Sequence, residues 1–275
     1  MPTFLKYFFQ LFGKIAPKLS AQLLIRLMAR PRAHKLRPFE SEVLDRARAW
    51  RHPYQGGEIQ GYIWGEGGNK VALLAHGWEG HAGNFGALVE MLLEKGYQVI
   101  AYDAPSHGKS SRMRTHMLSY GAFLADRLRH HKPDVLLSHS FGSVASVMAI
   151  HEHPDLAPKQ WFLLTTPSDF KEYVDGIQNS LNLPERSLKE VVHLIEKNSQ
   201  LPLSRMNMEN FGPSAEVVDH IHIIHPVTDR IIPIESARRA QKALPGARIT
   251  EVEGVGHYRI LWSDQVKDIL RKEVA

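Results

Sequence analysis

The clearest pattern in the chain is Val71-Ala72-Leu73-Leu74-Ala75, an unbroken apolar run of the kind expected for a strand buried on both faces. Shorter apolar runs predict strands over 98–102, 134–138, 161–164, 221–224 and 248–252. Between and after them, apolar residues at helical spacing predict helices over 83–95, 118–131, 141–152, 233–244 and 263–272. Strands that alternate with helices predict an α/β domain with a mostly parallel sheet of about eight strands and helices on both faces. Ahead of this series, 41–50 and 57–64 read as an antiparallel strand pair joined through His52-Pro53-Tyr54-Gln55-Gly56-Gly57.

Two stretches break the rhythm. More than fifty residues without a strand pattern separate 161–164 from 221–224. An excursion that long in an α/β domain usually carries function. Within it, Ser187-Leu188-Lys189-Glu190 has the form of a capping box, and Leu188, Val191, Val192 and Ile195 share one helical face. The segment over about 168–215 is therefore expected to form a helical lid. The other stretch is the N-terminus, where apolar residues at 3–14 and 19–30 suggest two short amphipathic helices. The longest charge-free run before Lys14 is Tyr7 to Gly13, far short of the ~20 residues a membrane-spanning helix needs. Lys14 and Lys18 also sit where a secretory signal would be apolar. The expected organisation is a helical extension over 1–38 and a single larger domain over 39–275.

Charge sharpens this division. Residues 1–37 hold eight basic side chains and no acid, whereas 38–275 sum to −3, so the net charge of +5 belongs to one end. A body that binds nucleic acid would carry the positive charge itself, so no nucleic-acid partner is expected. The extension has two readings. It packs on the domain or covers the lid, or it lies as a basic, aromatic-rich anchor on an anionic membrane surface. The expected location is cytoplasmic or membrane-peripheral. The complete lack of cysteine removes disulfides, thiolate nucleophiles and Cys-type metal sites.

Ligands of open α/β sheets bind beyond the carboxyl ends of the strands, so the residues delivered there matter most. The strand over 134–138 ends in Ser138-His139-Ser140-Phe141-Gly142. A serine on a sharp strand-to-helix turn needs small neighbours two residues away on either side, and Ser138 and Gly142 meet that need. The strand over 71–75 delivers His76-Gly77-Trp78, whose glycine lets a backbone N–H face the nucleophile. The N–H groups of Trp78 and Phe141 are the candidate oxyanion donors. A neutral serine needs a base, and among sixteen histidines His257 follows the last strand, in the glycine-bearing loop Gly254-Val255-Gly256-His257. The imidazole needs a carboxylate to set its tautomer, and Asp229 follows the strand over 221–224.

These segments, with Asp103-Ala104-Pro105-Ser106-His107-Gly108-Lys109-Ser110 and Asp229-Arg230-Ile231-Ile232-Pro233, resemble the α/β-hydrolase-fold serine hydrolases in order and spacing over residues 76–257. The resemblance implies Ser140, Asp229 and His257 as nucleophile, acid and base, and no metal or organic cofactor. It also implies that 103–110 is an architectural turn in which His107 is not catalytic. Two departures stand out: Ser138 replaces the usual glycine, and residues 1–38 have no counterpart in the minimal fold. The expected activity is hydrolysis of a small-molecule carboxylic ester or thioester through an acyl-enzyme on Ser140. Acyl transfer or C–C bond hydrolysis would use the same triad, and a silent triad in a membrane-surface binding module is the non-enzymatic alternative. Serine at the elbow argues against dehalogenase and epoxide hydrolase chemistry, which use aspartate there.

Substrate contacts are expected from His76 and Gly77 on the oxyanion turn and from Met206 and Met208 with Phe211 in the lid, since methionine adapts to irregular apolar shapes. Asp169 is a rival acid. His81 is expected in solvent near the oxyanion turn. His220 and His222 share a strand face, but no carboxylate or thiol cluster accompanies them, so ordinary strand histidines and no metal site are expected.

Overall fold

A computed structural model describes residues 3–32, 35–113 and 115–275. Its frame is one eight-stranded sheet: β1 (Arg48–Tyr54), β2 (Gly57–Trp64), β3 (Lys70–Ala75), β4 (Tyr97–Tyr102), β5 (Val135–His139), β6 (Gln160–Leu164), β7 (His220–Pro226) and β8 (Arg248–Val252). The spatial order is β1-β2-β4-β3-β5-β6-β7-β8, with β1 and β2 antiparallel and all pairs from β4 to β8 parallel. From β3 the chain runs to β4 on one side and then returns to place β5 on the other. The carboxyl ends of β3 and β5 therefore flank the crevice where ligands of such sheets bind.

The parallel strands are apolar throughout because alternate residues feed different cores. Leu73, Leu136, Leu163 and Ile223 enter one layer, while Leu74, Leu137, Leu164 and Ile224 enter the other. The first layer packs against α5 (Met117–His131), α6 (Phe141–Glu152) and α10 (Ile234–Ala243), and the second against α4 (Gly86–Glu94) and α11 (Asp264–Glu273).

The expected strand over 41–50 forms only at its end, where 48–50 begin β1, while 41–45 belong to a helix. α3 (Pro38–Asp45) starts with proline at its first position, and the Glu40 carboxylate accepts the Arg37 N–H at 2.8 Å. Glu40, Val43 and Leu44 are buried at helical, not strand, spacing. The strand pair forms later, around the two-residue turn Gln55-Gly56, whose φ values of 45° and 79° suit a tight hairpin. Pro53 is tolerated because β1 is an edge strand.

The N-terminal residues form a pair of packed helices, α1 (Thr3–Ile15) and α2 (Pro17–Met28). Between β6 and β7 the chain makes a helical excursion with α7 (Phe170–Leu181), α8 (Glu185–Ser199) and the single turn α9 (Met208–Phe211). Phe9, Ala21 and Leu24 of the N-terminal pair share a small core with Leu181, Leu183 and Val191 of the excursion. Ser187 is not an N-cap. α8 begins two residues earlier behind Pro184, and the buried Ser187 hydroxyl donates to the Gly13 carbonyl at 3.0 Å, tying α8 to α1. Among the described residues no helix is long and apolar enough to cross a membrane.

Candidate active site

The turn from β5 into α6 holds Ser140 at φ 52° and ψ −115°, a left-handed backbone that costs a non-glycine residue energy. The surroundings impose it. The Ser140 N–H donates to the carbonyls of Thr165 at 2.8 Å and Leu164 at 3.1 Å, at the end of β6. A Cβ on Gly142 would lie 2.2 Å from the Ala75 carbonyl oxygen, so only glycine lets α6 approach β3 this closely. Ser138 fits in the usual glycine position because its hydroxyl has a buried home. It accepts the Trp161 indole N–H at 2.9 Å and meets the Ser143 hydroxyl at 3.0 Å.

Three separate loops complete the centre. His257, after β8, places Nε2 3.1 Å from the Ser140 Oγ and Nδ1 2.8 Å from the Asp229 Oδ2. Asp229, after β7, accepts the N–H groups of Ile231 at 2.7 Å and Ile232 at 3.0 Å on its other oxygen. Burial alone would raise the Asp229 pKa, but the hydrogen bond and charge of His257 and the two backbone donors outweigh it and hold the carboxyl below its ordinary range. An ionised carboxylate only accepts, so the His257 proton sits on Nδ1 and Nε2 is left to accept from the Ser140 hydroxyl. The sequence-predicted nucleophile, base and acid thus stand in one connected line.

The turn after β3 lies against the same serine. A Cβ on Gly77 would meet the Ser140 Cβ at 3.1 Å and the His139 Nδ1 at 3.0 Å. The Trp78 ring packs edge-on against Phe141, 5.2 Å between centroids. Phe141 opens α6, where a backbone N–H has no intrahelical acceptor. Glu79, next along, receives three hydrogen bonds from Arg32: its backbone N–H at 3.1 Å, Nε at 2.8 Å and Nη2 at 2.9 Å.

Several residues play parts other than those expected. His76 is buried beneath the turn and is absent from the cavity wall. Its Nδ1–H donates to the Gly77 carbonyl at 2.7 Å and its Nε2 accepts the Ala104 N–H at 2.9 Å, so it braces the loop and does not reach a substrate. His81 is not in solvent either. It is buried with Glu40, 3.5 Å from Nε2 to Oε2, while Asn84 donates to Glu40 at 2.9 Å and accepts the His81 N–H at 2.9 Å. Asp169 caps α7 through the Lys171 N–H at 2.7 Å and takes no part in the line to His257. Sequence reading passed over His139. It is buried, its Nε2–H donates to the His257 carbonyl at 2.9 Å, and burial with the nearby His257 ring pushes its pKa down to about 3. Far from this centre, α11 brings Glu273 to His220 and His222, with ligand atoms within 4.8 Å of one another. Arg248 already pairs with that carboxylate, and His222 Nε2 meets the Thr250 hydroxyl at 2.8 Å.

A cavity of about 1440 Å³ opens above Ser140 and His257. Met206 and Met208, both buried, line it with Phe211, Val144 and Met117, and Gly77 and Trp78 border it. α2 and the residue just beyond it contribute Ile25, Met28 and Ala29 to the wall, a role for the N-terminal extension that sequence spacing does not reveal.

The family described as serine aminopeptidase, S33 matches residues 68–207, just over half of the chain. The chain belongs to this α/β-hydrolase family. Among curated relatives of this family member, a serine hydrolase-like protein of Danio rerio is 27% identical over 162 residues, 55% of this chain and 49% of the relative. A monoglyceride lipase homolog of Monkeypox virus is 26% identical over 95 residues, 31% of this chain and 34% of the relative. The chain thus spans about half the length of the Danio rerio relative or less for the viral one. Among solved structures, an esterase of Pyrococcus furiosus aligns with TM-score 0.61 at 16% identity, covering 88% of this S33-family chain and 96% of the esterase. A thioesterase domain from the curacin biosynthetic pathway aligns with TM-score 0.59 at 14% identity, covering 82% and 98%. These structural likenesses establish the fold.

Proposed function

We propose that the protein is a serine hydrolase that cleaves a carboxylic ester, or a thioester, through an acyl-enzyme on Ser140. The observation that carries this reading is the line of hydrogen bonds from Ser140 through His257 to Asp229, at 3.1 and 2.8 Å. In this reading the Ser140 Oγ attacks the substrate carbonyl carbon while His257 Nε2 takes the hydroxyl proton. The developing oxyanion is held by the backbone N–H groups of Trp78 and Phe141. The tetrahedral intermediate collapses, the ester C–O or thioester C–S bond breaks, and His257 returns the proton to the leaving group. Water then repeats the sequence, releasing the acid and restoring Ser140. Asp229 holds the imidazole and stabilises its charged form throughout.

The helical excursion over 170–211 acts as the lid over this site, and Met206 and Met208 receive the acyl part. The cavity volume favours a long or bulky acyl group, and cleavage of an ester or thioester accords with the esterase, the thioesterase domain and the monoglyceride lipase homolog among the similar proteins. The test is turnover of p-nitrophenyl esters and acyl thioesters of graded chain length. Ser140→Ala is expected to lower kcat/KM by about 10⁴-fold and to abolish labelling by a fluorophosphonate probe, with unchanged circular dichroism. Equal turnover by the variant would overturn the reading.

A further inference from the structure

α1 is apolar around most of its circumference, yet the protein covers only part of it. Phe8, Phe9 and Phe12 turn inward and pack together, with 5.2 Å between the rings of Phe8 and each of the other two. Phe4, Tyr7, Leu11 and Ile15, spaced by three and four, form a second stripe on the outer side. With Leu19 of α2 these side chains are between 58% and 75% exposed. Six of the twelve large apolar side chains that stand in solvent among the described residues belong to this helical pair. A helix apolar on nearly all sides is stable only when its outer face is also covered.

Charge indicates what covers it. Lys14 and Lys18 are exposed beside the stripe, Arg26 is exposed further along α2, and residues 3–32 contain no acid. An apolar band edged by cations complements the acyl chains and anionic headgroups of a phospholipid leaflet.

We propose that the outer face of the α1–α2 pair docks on an anionic phospholipid bilayer, with Phe4, Tyr7, Leu11, Ile15 and Leu19 entering the headgroup–acyl boundary and Lys14 and Lys18 meeting the lipid phosphates and carboxylates. The docked helices lie in the plane of the leaflet and do not cross it. The same α2 that faces the lipid carries Ile25, Arg26 and Met28 on the cavity wall, and Ala29 and Arg30 just after it line the wall as well. Docking therefore places on the leaflet a helix that also lines the cavity. Together with the proposed ester hydrolysis, on which this last point rests, it makes a lipid-borne acyl ester the natural substrate, passing from the bilayer to Ser140 along α2.

The experiment is cosedimentation of the full chain with phosphatidylserine-containing vesicles and with pure phosphatidylcholine vesicles, at low and high salt. The parent protein is expected to pellet with the anionic vesicles, less so at high salt, and weakly with the neutral ones. Replacing Phe4→Ser, Leu11→Ser and Ile15→Ser together is expected to weaken partition tenfold or more. Lys14→Glu with Lys18→Glu is expected to weaken it at least about fivefold per charge removed, and only on anionic vesicles. Turnover of a short soluble ester should not change in either variant, because none of these residues lines the cavity. Ser140→Ala should bind vesicles like the parent, so loss of the hydrolase reading leaves the docking result intact. Equal partition of parent and variants, or no partition at all, would overturn the proposal. A concentration-dependent dimer in analytical ultracentrifugation, abolished by the serine substitutions, would assign the face to a second copy of the chain instead.

Discussion

His139 separates a serine that plugs the strand end from the serine at the elbow, and its Nε2–H is held by the carbonyl of His257. Its folded pKa of about 3 lies below the ~6.5 of an unfolded histidine. The unfolded chain therefore takes up a proton below pH ~6.5 that the folded chain refuses. The stability tied to a neutral His139 is complete above that pH and is lost as pH falls from about 6.5 toward 3, at up to ~1.4 kcal/mol per pH unit. His139→Gln, which keeps a donor for the His257 carbonyl, is expected to flatten the dependence of Tm on pH between 7 and 4. Thermal melts of the two proteins across that range check this. At this scale the Ser140–His257–Asp229 line was legible in the sequence. Ser140, Asp229 and His257 each follow a strand, and their chain order restricts the choice. The buried partners were not legible. Nothing adjacent to His81 in sequence marks it for Glu40, 41 positions away, and His76 differs from a substrate contact only in the direction its ring turns.

Among the elements, α1 and α8 approach closely at one glycine. A Cβ on Gly13 would lie 2.7 Å from the Ser187 Oγ and 2.9 Å from the Pro184 Cδ. Neither neighbour yields easily, since the hydroxyl is bonded to the Gly13 carbonyl and the proline ring is rigid. Alanine in place of a mid-helix glycine would gain ~1 kcal/mol of helix propensity, but overpacking costs ~1–3 kcal/mol. Gly13→Ala is thus expected to loosen the N-terminal pair. Amide exchange should accelerate over 3–28 and over α8, with the exchange of β3, β5 and β6 unchanged. Periodicity read the long helices and the parallel strands well, because each of those runs is governed by its own apolar spacing. It failed at 41–50, where the Glu40 carboxylate is buried by tertiary contacts and so breaks the apolar count of a true helix. It failed again at Ser187, where a capping pattern lies one turn inside a helix that proline has already started.

For the molecule as a whole, the question is how a cavity of about 1440 Å³ is apportioned. Val144 stands one helical turn beyond Ser140 on α6, beside Phe141 and in the same apolar cluster as Met206, Met208 and Phe211. Val144→Phe is expected to narrow that wall. The ratio of kcat/KM for dodecanoyl to acetyl p-nitrophenyl esters should fall by about tenfold, the scale of one or two methylenes misplaced in an apolar pocket. An unchanged ratio would place the acyl chain elsewhere in the cavity. A mostly parallel sheet of about eight strands was within reach of sequence pattern, whereas the cavity was not, because its walls come from segments distant in the chain.

The wall supplied by α2 has a further consequence. Ser140, His257 and Asp229 ride on the rims of β5, β8 and β7, while Ile25 and Met28, with Ala29 just beyond, arrive on a separate pair of helices held by a small core shared with the excursion. The hydrogen-bonded line and this part of the cavity wall thus come from different stretches of the chain. A grafted N-terminal pair from another protein of this architecture would reshape the cavity wall while leaving the Ser140–His257–Asp229 line as it is.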